Sequence, residues 1–306
     1  MTRLCEREGL SVETACSLFG HCRQAYYQQK RDGEDELRRE SRMLSSIKEI
    51  RSIDPGIGGY KLWLMLCSVF GRDWMPGRDK FLAFLSRNRL LGKRPKPRHT
   101  TNSNHRYHKW KNLIKGFVPT AANQLWVSDI TYIDTDEDCC YLHLVTDAYS
   151  HKIIGWTVVA SLGAVFTLEA LRMAIRQTGK VDLTGLIHHS DRGVQYCCDM
   201  YIEELQKHNI SISMTEDYKP TDNAIAERIN GTIKTERIYV QEHRFKNLEE
   251  ARCSIAEFID FYNNRRPHMS IGMQTPSVAH EQQGEQKKCW KNKFYQPNNS
   301  YVQTNI

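Results

Sequence analysis

The spacing of apolar and polar positions changes along the chain near residue 123. Before it, apolar residues recur every three or four positions in short segments, which is the period of amphipathic helices. Residues 1–35 read as a short helix, a glycine turn and a basic helix, and residues 36–95 hold three more helical patterns separated by Pro-Gly and Gly-Gly pairs. We predict two small all-α modules that each resemble a helix-turn-helix, with a plain helical hairpin as the alternative for the first.

After this point the apolar period becomes two, which is typical of strands. The runs "LWVSDITYI", "YLHLVTDAYS" and "KIIGWTVV" predict a three-stranded meander, and two shorter strands alternate with helices after it. Two long helical patterns complete the unit. This order predicts an α/β domain with a mixed five-stranded sheet flanked by helices over residues 123–281, followed by a flexible polar tail over 282–306.

Composition excludes several classes of protein. No apolar run in the 306 residues approaches the roughly 18 positions of a membrane span, and the N-terminus has no signal-peptide pattern. The ten cysteines form no C-x-x-C pair, so neither a zinc site nor a disulfide framework is indicated. We expect reduced, mostly buried thiols in a soluble intracellular protein.

Positive charge is concentrated where the helical segments meet the sheet domain. The chain has a formal net charge of +7, and the stretch from Lys80 to Ser128 contains eleven Lys or Arg and no acidic residue. We predict a basic linker over residues 96–122 that binds a polyanion, since each neutralised phosphate releases counterions. A solvated linker without a partner is the alternative.

Two aspartates occupy strand positions that are unusual for a charge. Asp129 lies in the first predicted strand on the same face as Val127 and Ile133, because side chains alternate along a strand. A carboxylate among apolar neighbours is costly to bury unless a cation compensates it. Asp191 follows the fourth predicted strand, at the edge where ligands collect in open α/β sheets.

A third carboxylate lies on the helix that begins after Asp222, its predicted N-cap. Isoleucines recur every fourth residue on one face of this helix, which we predict to be the buried face. The opposite face carries Asn223, Glu227, Asn230 and Lys234. Glu227 and Lys234 are seven positions apart, so they lie about 10 Å apart on one side of the helix.

Asp129, Asp191 and Glu227 offer the hard oxygen ligands that Mg²⁺ and Mn²⁺ prefer. Two such ions could support in-line displacement at phosphorus, which is the chemistry of a nuclease or strand transferase. Other assignments remain open. A single Asp in a strand or turn is often a helix or turn cap. Asp147 is an alternative metal ligand, although we prefer a structural role for it. His188 is interpreted as a strand-end residue, as is the histidine that follows it.

Three segments carry a family resemblance. The segments "WVSDITYI", "HHSDRGVQY" and "DNAIAERINGTIK" resemble the three motifs of DDE-type transposases, whose catalytic core is similar to retroviral integrase. Thirty-five residues separate Asp191 from Glu227, and Lys234 follows seven positions later, as in the D,D-35-E group. The likeness is greatest to the second-frame product of the bacterial insertion-sequence-three family and covers nearly the whole chain. "GYKLWLMLCSVFG" resembles part of its helix-turn-helix module, and "FYNNRRPHMSIGMQTP" its closing motif.

The resemblance implies an RNase-H-like fold and a two-metal site, with Mg²⁺ or Mn²⁺, at Asp129, Asp191 and Glu227. Water or a 3′-hydroxyl would attack a phosphodiester at the element's end, giving cleavage and strand transfer without a covalent protein–DNA intermediate. Lys234 and Asn223 would hold the terminal phosphates. Other expected DNA contacts are Arg192, Arg94, Lys96, Arg98, Arg265 and Arg266.

Two departures and two alternatives complete the expectation. Arg228-Ile229 replaces the family's small residues after the glutamate, and no sustained heptad appears, so a first-frame protein is a candidate partner. A DNA-binding regulator derived from a transposase, or an RNase-H-like structure-selective nuclease, would share parts of the pattern. The intact triad argues against the regulator, and the helical modules with the full motif set argue against the nuclease. We expect a transposase that binds double-stranded DNA as a homo-oligomer in the cytoplasm, at the bacterial nucleoid.

Overall fold

The computed structural model describes residues 11–20, 22–91, 107–216, 223–240, 243–287 and 289, and the fold is given for these residues. The chain divides into two compact units, Met1–Ser52 and Ile53–Ile306. Within the described ranges, no helix has the length and apolar character needed to cross a membrane. The nine cysteines among them are free, but only three are buried, so the prediction of mostly buried thiols is wrong.

In the described residues, four helices precede the sheet: α1, Val12–Leu18; α2, Arg23–Ile53; α3, Gly59–Phe70; and α4, Arg78–Arg87. The helix break expected near residue 35 does not occur, because Gly33 lies inside α2. A glycine in a helix interior costs only about 1 kcal/mol relative to alanine, and a helix of 31 residues tolerates it.

The helical module (α3 and α4, residues 59–87) agrees with the two helical patterns predicted there. The helices pack closely where Gly59 meets α4, since a Cβ on Gly59 would lie 2.7 Å from Leu82 Cδ2. Leu62, Phe81 and Leu85 are fully buried in this small core. The exposed side of α4 includes Lys80 and Arg87.

Five strands form one mixed sheet, as the sequence predicts: β1, Leu125–Asp134; β2, Cys139–Asp147; β3, Ile153–Val159; β4, Ile187–Ser190; and β5, Ser211–Met214. Their order across the sheet is β3-β2-β1-β4-β5. The first three strands are antiparallel neighbours, whereas β4 pairs in parallel with β1 and β5 in parallel with β4. The meander therefore continues into a parallel half.

Helices cover both faces of the sheet. They are α5, Ala164–Thr178; α6, Val194–Cys197; α7, Asp199–Lys207; α8, Ala224–Ile233; α9, Leu248–Asn264; and α10, Pro276–His280, with a π-helical turn at Lys234–Ile238 (the π-turn) and a 3₁₀ turn at Met269–Ile271. Trp126 packs with α5 and α7 on one face, and Ile133 packs with α8 and α9 on the other. Asp129 shares the strand face of Ile133, because side chains alternate, and so lies on the side of α8.

Two segments predicted as linker or tail are partly packed against the core. Leu113 N–H donates to Ser213 Oγ at 2.9 Å, so the described end of the basic linker runs beside β5. Gln283 forms a β-bridge with Ala121, which fixes the beginning of the predicted tail. Both differences from the prediction have one cause. Backbone groups at a sheet edge or terminus form hydrogen bonds whatever the side chains are, so a polar composition does not predict them.

The contact between β3 and α5 depends on Gly155. A Cβ at this position would lie 2.0 Å from Ala170 O and 3.1 Å from Ala174 Cβ. We expect Gly155→Ala to lower the free energy of unfolding by about 3 kcal/mol, the upper end for overpacking. Gly231→Ala is the control, since a Cβ there has nothing within 4 Å. Equal urea midpoints for the two variants would contradict this account.

Candidate active site

The parallel pairing of β1 and β4 brings two aspartates side by side. Val127 lies opposite His189 in the register, and each aspartate follows two residues later on its own chain segment. Neighbouring strands are separated by about 4.8 Å. Asp129 and Asp191 are therefore adjacent at the same end of the sheet, as the sequence predicts.

Asp129 is held by two donors on two elements. Asn230 Nδ2 donates to Oδ2 at 2.7 Å, and the backbone N–H of Ile130 donates to Oδ1 at 2.9 Å. Burial and then the negative charge of Asp191 nevertheless raise the pKa of Asp129 to about 7, and Glu227 adds to the rise. The negative charges of Asp191 and Glu227 therefore both act on the Asp129 carboxylate.

Asp191 is positioned by the turn that leads into α6. Its Oδ1 accepts a hydrogen bond from Gly193 N–H at 2.9 Å. A Cβ on Gly193 would lie only 2.9 Å from the same oxygen, so the turn is built around a residue without a side chain. The turn fixes the Asp191 carboxylate beside Asp129.

Helix α8 presents its polar side to β1 and not only to solvent. Asn230 bonds Asp129, and Asn223 Nδ2 donates to the backbone oxygen of Ser128 at 3.1 Å. Glu227 lies on this side and is exposed. The predicted polar ridge is therefore partly buried, a correction that follows from packing the helix across the strand end. Asp222, the predicted N-cap, lies outside the described residues.

Lys234 ends α8 close to the carboxylates. Its Nζ lies 4.4 Å from the centre of the Tyr132 ring, a cation–π contact with β1. Burial lowers the pKa of Lys234, while the charges of Asp129 and Asp134 act in the opposite direction. The lysine is therefore positioned to place positive charge beside the three carboxylates.

Comparisons with known proteins give a consistent result. Two models of the integrase core domain match residues 119–220 and 208–276. An uncharacterised 31 kDa protein of insertion element IS600 from Shigella sonnei is 34% identical over 87% of this chain and 97% of its own. The putative transposase of element IS986/IS6110 from Mycobacterium tuberculosis is 32% identical, covering 76% of this chain and 85% of its own. Transposase InsF of IS3A from Escherichia coli is 35% identical over 54% of this chain and 57% of its own.

The chain belongs to the DDE transposases of the insertion-sequence-three family. It is thus a polynucleotidyl transferase of DNA transposition and integration, with an RNase-H-like core. Among solved structures, the HTLV-2 integrase catalytic core domain in complex with magnesium has a TM-score of 0.43 and 21% identity, covering 53% of this chain and 99% of its own.

The residues predicted to contact DNA fall in different surroundings in the transposase. Arg192 is half-buried next to Asp191, and Arg265 is exposed, with its guanidinium 5.5 Å from the Phe261 ring centre. Arg266 is only 3% exposed and pairs with Glu236, a position that does not fit direct DNA contact. Asn223, buried against β1, is likewise a poor DNA ligand. Arg94, Lys96 and Arg98 lie outside the described residues.

A buried polar network lies beside the aspartates, and no sequence motif predicts it. His188 Nε2 is 2.8 Å from Ser128 Oγ and 2.9 Å from the Tyr201 hydroxyl. Burial and then His189 lower the pKa of His188 to about 3, so it stays neutral. Among the described residues the buried Tyr196 hydroxyl has no hydrogen-bond partner; burial and then the charges of Asp129 and Asp191 raise its pKa.

Asp147, the rival ligand, has a structural role. Its Oδ2 accepts from Asn123 N–H at 2.7 Å, and its Oδ1 accepts from the backbone and hydroxyl of Ser150, each at 2.8 Å. These bonds close the turn after β2. Residue spacing alone could not assign the roles that Asp147 and Asn230 have in the structure. For Asn230 there was one signal, since it follows Glu227 by about one helical turn on the same face of α8.

Proposed function

We propose that Asp129, Asp191 and Glu227 are the catalytic residues with which this transposase cleaves and rejoins DNA at the ends of its insertion sequence. The observation that carries the proposal is the half-buried Asp129 carboxylate, which lies beside Asp191 and accepts from Asn230, and whose pKa is raised to about 7. Ionising all three at neutral pH requires added positive charge. A bound divalent cation is the ligand that supplies it.

The donor set fits Mg²⁺ or Mn²⁺. All three side chains offer carboxylate oxygens, and such ions take few protein ligands and fill the rest with water and phosphate oxygens. Within the described ranges, no three His, Cys, Asp or Glu side chains are grouped tightly enough to bind one metal ion together. We propose two ions, because a two-metal site acts on both the attacking and the leaving oxygen of an in-line displacement.

The chain's own residues orient the reaction. Asn230 and the Ile130 N–H fix the Asp129 carboxylate, while Gly193 N–H fixes that of Asp191. Bound metal would activate the attacking oxygen and stabilise the leaving one. An oxygen of water or of a 3′-hydroxyl then attacks phosphorus, and the opposite P–O bond breaks in line. Lys234, beside Asp129, holds a phosphate of the DNA strand by charge.

DNA binding extends beyond the carboxylates. Arg192 and Arg265 are accessible cations near the site and near the end of α9, and the helical module adds Lys80 and Arg87 on α4. We propose that the protein binds both ends of its element as a homo-oligomer, since joining two ends requires two bound duplexes. A first-frame protein of the same element is the candidate partner, and the bacterial nucleoid is the site of action.

The test is joining of the element's own ends, found by sequencing outward from the gene. Purified protein is assayed with Mg²⁺ and with EDTA, for the wild type and Asp191→Asn. Joining that needs metal and is lost on substitution supports the proposal. DNA binding without joining in both proteins, also after the first-frame protein is added, would contradict it and favour a regulator, and metal-dependent cutting of DNA without element ends would favour a nuclease.

Asn230 provides a second test of the same site. Asn230→Ala removes a donor to Asp129, so we expect the pKa of Asp129 to rise further and joining to fall about 10- to 100-fold, as for other groups that orient metal ligands. Because the carboxylate must be ionised, the pH profile should shift to higher pH. Thr232→Ala, on the same helix, should leave both rate and profile unchanged. An unshifted profile for Asn230→Ala would contradict the role.

A further inference from the structure

The π-turn that follows the catalytic helix is a docking point for another part of the chain. Tyr239 N–H donates to Lys234 O at 2.8 Å, five residues back, as in a π-helix. The carbonyl of Glu236 accepts instead from Gly56 N–H at 2.8 Å. A backbone acceptor at the end of the helix is thereby satisfied by a segment that is distant in sequence.

Gly56 can approach the π-turn only because it lacks a side chain. A Cβ on Gly56 would lie 2.4 Å from Glu236 Cα and 2.7 Å from Thr235 O. Both are backbone atoms of the π-turn, which cannot rotate away as a flexible side chain would. The Pro55-Gly56 pair, which appears in the sequence as a simple helix break, is therefore a specific contact surface.

Four ionisable side chains, two of them buried and two half-buried, surround this backbone contact. Arg266 donates to both carboxylate oxygens of Glu236, from Nε and Nη2, each at 2.6 Å. Lys61 Nζ donates to Glu236 Oε1 at 3.4 Å, and Asp54 Oδ2 lies 3.8 Å from Arg266 Nε. We call these four residues and Gly56 the joint. Its members come from the segment before α3, from α3, from the π-turn and from the segment after α9.

The joint has a rigid connection on each side. Lys61 belongs to α3, which packs on α4 through Gly59 and Leu82, so the helical module moves with it. Glu236 lies two residues after Lys234, at the end of the helix that carries Glu227. Any shift of the helical module relative to the sheet must therefore displace the π-turn or break the joint.

Stability alone does not explain charges at this position. Apolar residues in place of a buried ion pair are often as stable or more stable, because the charges must be desolvated. A two-bond pairing between a guanidinium and a carboxylate instead selects one geometry. The joint is therefore suited to hold the helical module and α8 in one defined arrangement.

We propose that the joint couples the helical module to the active site, so that DNA held by residues 59–87 sets the position of Glu227 and Lys234 for joining. Gly56, Lys61, Glu236 and Arg266 are then positioning residues, since they act through α8 and not on the DNA phosphate. The inference rests on the proposed function of both regions. It predicts that contact with inner DNA sequence raises turnover at the terminal phosphate.

The experiment uses full-length protein, Mg²⁺ and two duplexes from the element's own end. The short duplex has about one helical turn, roughly 10 base pairs, and the long one about four turns, so that the long duplex offers the helical module more inner sequence to bind. Values of kcat and KM for joining are measured for wild type, Gly56→Ala and Gly58→Ala. Gly58 is the matched control, because it lies two residues further along the same segment, at the N-cap of α3, and a Cβ there has nothing within 4 Å.

Wild type and Gly58→Ala should join the long duplex with a kcat about tenfold above that for the short one, a usual size for coupling between sites. Gly56→Ala should lower kcat on the long duplex to the short-duplex value, with KM and the short-duplex rate little changed. Lys61→Met, which removes only the module's charge from the joint, should do the same and replaces Gly56→Ala if that variant does not fold.

Three results would overturn the inference. Equal kcat on both duplexes for wild type would show that there is no coupling. An unchanged ratio in the joint variants, with both rates lowered together, would show that the joint only supports the fold. If wild type joins neither duplex, the proposed function itself is contradicted, and the coupling with it. This outcome is distinguishable from the other two because it is seen before any variant is compared.

Discussion

Asp129→Asn is expected to abolish DNA joining and, without metal, to make the protein more stable. Joining should fall at least about 10³-fold, since metal-ion catalysis contributes several kcal/mol to the barrier and each 1.4 kcal/mol is a factor of ten. The stability gain has an electrostatic cause. The folded protein raises the pKa of Asp129 from 3.8 to about 7, so the ionised carboxylate opposes folding at higher pH.

The effect of Asp129 on stability depends on pH, and its direction can be measured. A carboxyl group with a raised folded pKa makes stability fall as pH rises from about 4 to about 7, and the full loss is present above that range. At about 1.4 kcal/mol per pKa unit, Asp129→Asn should gain on the order of 2–4 kcal/mol at pH 8 and much less at pH 5. Urea unfolding in EDTA at the two pH values measures it.

The control is Asp136→Asn, at an exposed position beyond the end of β1. It should change neither the joining rate nor the pH dependence of unfolding. If Asp129→Asn were no more stable than wild type at pH 8 in EDTA, ionised Asp129 would not lower the free energy of unfolding as inferred from its raised pKa. Retained joining would remove Asp129 from the catalytic residues.

Arg266→Met should be among the most destabilising single changes in the chain. It leaves Glu236 and Asp54 buried beside one another with only Lys61 as a cation, and breaking a buried ion pair on one side costs about 3–5 kcal/mol. Burial and then the charge of Glu236 already raise the pKa of Asp54 to about 8. Without Arg266, the pKa of Glu236 would also rise above its unfolded value.

The loss should therefore depend on pH. As pH falls from 7 towards about 4.5, Glu236 in the variant can take up a proton and the difference from wild type should shrink. Arg265→Met is the adjacent control, and because Arg265 is exposed its effect should stay within about 0.5 kcal/mol. Equal urea midpoints for the two variants at pH 7 would contradict the buried pairing.

Periodicity was sufficient to predict the sheet, because each strand buries one face or both and the residues show it. It also placed Asp129 on the strand face of Ile133, and the structure shows that α8 covers this face. Periodicity could not show that Asn223 and Asn230 turn towards β1, since a polar residue that bonds a strand end resembles one that faces water. The prediction that Arg266 contacts DNA came instead from the resemblance of its segment to the family's closing motif, whereas the structure buries this side chain against Glu236.

The joint lies beyond sequence reasoning for a different reason. Asp54 and Lys61 are far from Glu236 and Arg266 along the chain, and charged residues in such segments are usually solvated. Their pairing depends on the π-turn, a local irregularity of the helix that residue spacing does not predict. Gly56 gave the one available signal, since a glycine beside proline marks either a turn or a close backbone approach.

The parallel pairing of β1 with β4 has a consequence during synthesis. The strand that carries Asp129 leaves the ribosome before β4, its parallel partner, which follows the meander and one helix, and before α8, which follows three helices. A nascent chain therefore has no complete triad until α8 has emerged, and no joint until Arg266 has. Fragments from interrupted translation would carry the basic helical module and the first aspartate, yet could not cut the DNA that they bind.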